Sequence, residues 1–290
     1  MVVFLLQVNG QTASASYLGQ IEPDLRPIKF APGLISLSDR YEFGCTISSD
    51  GREFYFGVNN NGISEIHYAT FLKGKWTSQK KLFPSDSIGY NDPMFSPNEN
   101  RLYFISDRPL RIEEPLKDID LWYVERVSKG SKWSAPINLG SPINNQEDQY
   151  YSSFTREGDL YFASKDTIEG ANWGAFDIYK AHFKNGSFMN PEKLSESINT
   201  EDYEADVFVA PDESYIIFCS IRKEGWGRGD LYISFNDGEG NWLQAKNMGD
   251  KINTSGHELC PYVTPDGRFF FYTSNEDLYW VSTRIFEDYK

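Results

Sequence analysis

Short apolar runs rich in Phe, Tyr, Ile and Val alternate with polar turn residues along the whole chain, and the 3.6-residue periodicity of amphipathic helices is scarce. One phrase recurs five times: SSDGREFYFGV from Ser48, SPNENRLYFIS from Ser96, TREGDLYFAS from Thr155, APDESYIIFCS from Ala210 and TPDGRFFFYTS from Thr264. Each pairs apolar β-formers around a two-residue turn, which predicts a hairpin. The closing aromatics Phe56, Phe104, Phe162, Phe218 and Tyr272 lie 48, 58, 56 and 54 residues apart.

Two further phrases keep the same order. Glu65-Ile66-His67-Tyr68, Asp120-Leu121-Trp122-Tyr123, Asp177-Ile178-Tyr179, Asp230-Leu231-Tyr232 and Asp277-Leu278-Tyr279-Trp280 follow the hairpins. An aromatic with Leu or Met six residues later comes next, as Trp76/Leu82, Trp133/Leu139, Phe188/Leu194 and Trp242/Met248. Four short strands per unit of roughly 50 residues is the signature of a propeller blade. The pattern predicts an all-β, five-bladed β-propeller of four-stranded antiparallel blades. Only 11 residues follow Tyr279, too few for a fourth strand in the last blade. The segment from Arg26 through Ser36 is expected to supply that strand, so that the N-terminal strand completes the last blade and removes an open edge.

Composition narrows the function classes. The 40% hydrophobic content supports a packed core, and the chain reads as one propeller domain over 21–290. Residues 1–20 carry a short apolar run and an Ala13-Ser14-Ala15 site but no basic start, so they read as a signal remnant or a disordered N-terminus. A formal net charge of −14 argues against a nucleic-acid partner. No apolar stretch is long enough to span a membrane. Three cysteines without a C-x-x-C pair suggest neither a disulfide framework nor a zinc site.

The phrases Thr264-Pro265-Asp266-Gly267, Ser106-Asp107-Arg108-Pro109 and Trp133-Ser134-Ala135-Pro136-Ile137-Asn138-Leu139-Gly140 resemble the TolB-like propeller repeat, a WD-repeat-like family of bacterial envelope proteins. Ile143-Asn144, Ile198-Asn199-Thr200 and Ile252-Asn253-Thr254 repeat its last element, and the resemblance covers about residues 40–283. It implies a scaffold or carbohydrate-associated module, in some relatives an enzyme, with a periplasmic or secreted location and a glycan or envelope protein as partner.

Candidate chemistry gathers on one face, where long loops 107–118, 165–175 and 221–229 accompany the inter-blade connections. The ligand-binding candidates are Arg108, Asp148, Lys165, Trp173, Arg222 and Trp226, the two tryptophans because they fall outside the repeat register. Six residues before each hairpin phrase stand Glu42, Tyr90, Gln149, Glu204 and Glu258, and blade two places Asp92 two residues after Tyr90. As parts of the innermost strands these positions should ring the channel mouth. Glu42, Glu204, Glu258 and the neighbouring His257 are therefore the catalytic candidates of a carbohydrate-active hydrolase or lyase. The alternative is that the carboxylates only brace buried loops, in a non-enzymatic binding module. No metal site is expected from three dispersed histidines, and no cofactor motif is present, although carboxylates and carbonyls leave room for a channel-bound cation. Cys45, Cys219 and Cys260 read as buried small hydrophobes.

Overall fold

The computed structural model describes residues 16–84, 87–111, 113–165 and 176–290. Among the described residues five antiparallel sheets are arranged as the blades of a propeller, and a two-stranded ribbon pairs Phe183–Lys184 with Ser187–Phe188. Their innermost strands are Tyr41–Ile47, Asn91–Phe95, Gln149–Phe154, Tyr203–Val209 and Glu258–Val263. Each packs against the next around the axis, and the fifth packs against the first.

The hairpin phrase builds the first two strands of each blade. Ser48, Ser96, Thr155 and Thr264 accept backbone N–H bonds from residues four or five positions on, tightening the turn. The turn residues Gly51, Glu99, Gly158, Glu213 and Gly267 all take positive φ. Glycine relieves the steric cost at three of these, and glutamate bears it at two.

The Asp-Leu-Tyr phrase is the third strand, and its acid fastens the fourth. Lys81 bonds Glu65, Asn138 bonds Asp120, Lys193 bonds Asp177 and Asn247 bonds Asp230. In the fifth sheet the outermost strand is Ile28–Lys29, with Ile28 opposite Trp280 and Lys29 opposite Tyr279. Lys29 bonds Asp277 there. Phe30 N–H donates to the Leu278 carbonyl, as Leu82, Leu139, Leu194 and Met248 do to Ile66, Leu121, Ile178 and Leu231.

Aromatics supply most of the packing. Phe54, Phe56, Phe104, Phe162, Phe218, Phe271 and Trp280 are fully buried between blades. The in-register tryptophans pack likewise: Trp133 donates to the Tyr55 hydroxyl of the preceding blade and stacks under Arg126. Arg126 Nη1 in turn donates to both carboxylate oxygens of Glu53, at 2.8–2.9 Å, in a buried ion pair. The three cysteines are buried and free.

Candidate functional site

Backbone bonds stitch each blade to its neighbour at the face carrying the inter-blade turns. The N–H groups of Glu42, Tyr90, Gln149 and Glu258 donate to the carbonyls of Glu276, Ser64, Ile119 and Gly229. Residues at this position thus sit where one blade hands over to the next. Their side chains are turned back into that junction.

Glu204 takes the Thr200 N–H and hydroxyl at 2.8 Å each, the Ser220 hydroxyl at 2.7 Å and the Arg222 guanidinium at 3.2 Å. Glu258 repeats this with Thr254 and Ser274, at 2.6–2.9 Å, without an arginine. Gln149 donates to Asn145 and the Glu147 carbonyl, and Glu42 is held by Arg40. All four side chains are completely buried. Burial lifts the Glu42 carboxyl above its ordinary range in spite of Arg40. Glu204 and Glu258 brace the turns that follow the Ile-Asn phrases, and the T-x-x-x-E spacing of Thr200/Glu204 and Thr254/Glu258 carries that signal in the sequence.

The other candidates divide between bracing and presentation. Arg222 clamps Glu204 and the Ile198 carbonyl and lies 4.4 Å over the Tyr232 ring. Arg108 donates to the Tyr90 hydroxyl and lies over Trp122. Asp148 accepts the Ile119 N–H, and its carbonyl accepts the N–H of Lys165, the last residue of its strand. His257 is half-buried with Nε2 3.5 Å from Cys219 Sγ, and burial, then Arg228, holds its basicity down. Trp173 lies outside the described residues. Trp226 is 55% exposed. Its loop is fixed: Asp230 accepts the Trp226 and Gly227 N–H groups at 2.6 and 3.1 Å, and a Cβ on Gly227 would meet the Thr254 and Gly256 carbonyls at 2.5 Å.

Two residues further along each innermost strand, the chain does something the sequence did not announce. All five strands slip register there. Gly44, Asp92, Tyr151, Asp206 and Cys260 take φ between +47° and +52°. Four of these are not glycine, and each such residue costs roughly 1–2 kcal/mol. Asp92 and Asp206, from blades two and four, meet at Cys260 of blade five: the thiol lies 3.5 Å from Asp92 Oδ1, and the Cys260 N–H lies 3.4 Å from Asp206 Oδ2. A Cβ on Gly44 would stand 2.7 Å from Asp92 Oδ1, so a side chain there would have to displace that carboxylate. Burial and then the Asp206 charge push Asp92 up to about 8, against the Cys260 thiol; burial pushes Asp206 up to about 6, against the Cys260 N–H. Because both acids titrate together, these positions belong to the pair.

The opposite mouth of the channel is mainly apolar, with Glu99 and Arg156 among its lining. There Ile47, Phe95, Phe154, Val209 and Val263, the last residues of the five innermost strands, line a cavity of about 250 Å³.

Among the described residues no three His, Cys, Asp or Glu side chains are disposed to hold a metal ion, and no helix is long and apolar enough to cross a membrane. No protein-family model and no curated protein matches the chain. Solved structures do match in fold. The endo-arabinase from Bacteroides thetaiotaomicron VPI-5482 is similar at 14% identity and TM-score 0.56, over 86% of this chain and 96% of that one. The catalytic domain of a Coprinopsis cinerea GH62 α-L-arabinofuranosidase matches at 11% identity and TM-score 0.52, over 91% of this chain and 99% of that one. TolB from Acinetobacter baumannii matches at 13% identity and TM-score 0.52 over 84% of this chain, which spans only 55% of that TolB chain. What these likenesses share with the chain is the β-propeller fold.

Proposed function

We propose that this propeller is a binding or scaffold module, working outside the cytoplasm, that engages a glycan or protein partner through the face carrying the inter-blade turns. The observation that carries the reading is Trp226, exposed on a loop whose backbone is already fixed by Asp230. An amphipathic ring presented without ordering cost is an efficient contact for a sugar face or a protein surface. Lys223 and Arg228 flank it on the same loop. The buried glutamates serve the rigidity of that face. In a binding screen of glycans and envelope proteins, Trp226→Ala should weaken the selected ligand about tenfold or more while thermal unfolding is unchanged. Undiminished binding by the variant would remove the reading.

A second reading rests on the channel pair. Two neighbouring carboxyls that titrate as a pair, both raised by burial, can supply a general acid and a general base. A hydrolase using Asp92 and Asp206 is therefore the alternative, and the fold shared with an endo-arabinase makes oligosaccharides the first substrates to test. Turnover abolished by Asp92→Asn but kept by Trp226→Ala would favour it over the binding module.

A further inference from the structure

The channel pair has a chemical property that neither functional reading requires. Asp92 is more than nine-tenths buried, and among the described residues its sole hydrogen-bonding partner is the weak Cys260 thiol; Oδ2 has none. Asp206, half-buried, receives one long N–H bond. No lysine, arginine or histidine of the described residues pairs with either acid. A buried carboxylate beside a second acid, without a counter-charge, is disfavoured, so the site favours either a bound proton or a positive group brought in from outside.

The surroundings suit an organic cation. Tyr41, Tyr150 and Tyr203 are half-buried near the start of their innermost strands, close enough for the aspartate charges to push their phenols up after burial has done so. Among the described residues none of the three hydroxyls has a hydrogen-bond partner. Phe176 stacks on Tyr150 at 4.8 Å and meets Tyr203 edge-on at 5.5 Å, continuing the aromatic wall. Ring faces attract compact cations, and the enclosed acids add charge. A metal shell is less well served: the thiol of Cys260 lies against Asp92, but Asp206 meets that cysteine through its backbone N–H, and among the described residues no three acidic, thiol or imidazole side chains are disposed to hold an ion.

We propose that the channel binds a ligand through a primary alkylammonium group, held by Asp92 and Asp206 and flanked by Tyr41, Tyr150 and Tyr203. This goes beyond the Trp226 reading and stands or falls separately from it. The other titratable groups sensing the pair are Cys260, Tyr151 and Cys219, all buried neutral groups, with Asp148 and Glu276 nearer Tyr150 and Tyr41. No positive charge among them competes for the acids.

Isothermal titration of the intact protein with n-butylammonium chloride at pH 8.5 tests this, with n-butanol and calcium chloride as parallel arms. Saturable binding of the ammonium but not the alcohol is expected, weakening about tenfold or more by pH 5 as protons occupy the pair. Asp206→Asn and Tyr150→Ala should each lower affinity about tenfold without changing circular dichroism. Absence of ammonium binding, binding indifferent to pH and to Asp206→Asn, or calcium binding that n-butylammonium does not displace would each overturn the proposal. The pH series on the unaltered protein keeps the test decisive if a variant fails to fold.

Discussion

Glu204 and Asp206 stand two residues apart on one strand and live in opposite surroundings. Glu204 is completely buried yet receives two hydroxyls, a backbone N–H and a guanidinium. Asp206 keeps some exposure to the channel and receives one long N–H bond. Depth of burial therefore does not measure how well a charge is accommodated; the number of donors aimed at it does. The repeat uses the first position for strength, and at the second it tolerates an unsatisfied acid.

Breaking the well-partnered side of this contrast should have the largest effect. Glu204→Ala leaves Arg222 buried and unpaired, and should cost about 3–5 kcal/mol in denaturant unfolding. Glu258→Ala removes the same latch without an arginine and should cost about 1–3 kcal/mol. Equal costs would show that Arg222 contributes nothing to the difference. The poorly partnered side should respond with the opposite sign. The folded pair holds its protons up to about 8 and about 6, against an ordinary value of 3.8. Between 3.8 and 8 the folded protein binds more protons than the unfolded chain, so stability falls as pH rises through this window. Asp92→Asn should flatten that slope to what Asp206 contributes and raise stability at pH 8–9, read from unfolding at several pH values. The smallest change, Cys260→Ser, replaces a weak donor by a stronger one beside Asp92. It should move the upper end of the slope to lower pH and alter stability at pH 6 by within about 1 kcal/mol.

The propeller was legible because the repeat is written in large residues. Phe56, Phe104, Phe162, Phe218 and Tyr272 fall in register, and each unit spells its hairpin with turn residues. The junction glutamates were legible as positions, and their bracing role was half visible in Thr200/Glu204 and Thr254/Glu258. Sequence alone left them as either candidate acids or braces of buried loops, and the threonines that bond their carboxylates speak for bracing. The channel pair was hidden for a different reason. Positive φ is signalled by glycine, and only Gly44 of the five bulge residues is one. Asp92, Tyr151, Asp206 and Cys260 look like ordinary strand residues, and nothing local says that two aspartates 114 residues apart will meet at one cysteine.

The pairing of Ile28–Lys29 with the strand at Asp277–Ser282 bears on the order in which the protein can be built. Four sheets take all their strands from neighbouring segments, but the fifth bridges Lys29 and Asp277, 248 positions apart. Closing so long a loop costs only about 3 kcal/mol more than closing one of ~12 residues, so the thermodynamic penalty is modest. The kinetic one is not. During synthesis the strand at Ile28–Lys29 emerges early and waits, its edge unpaired, until nearly the whole chain has been made. A ribosome that stalls before Asp277 would therefore release a molecule in which the strand at Ile28–Lys29 has no partner.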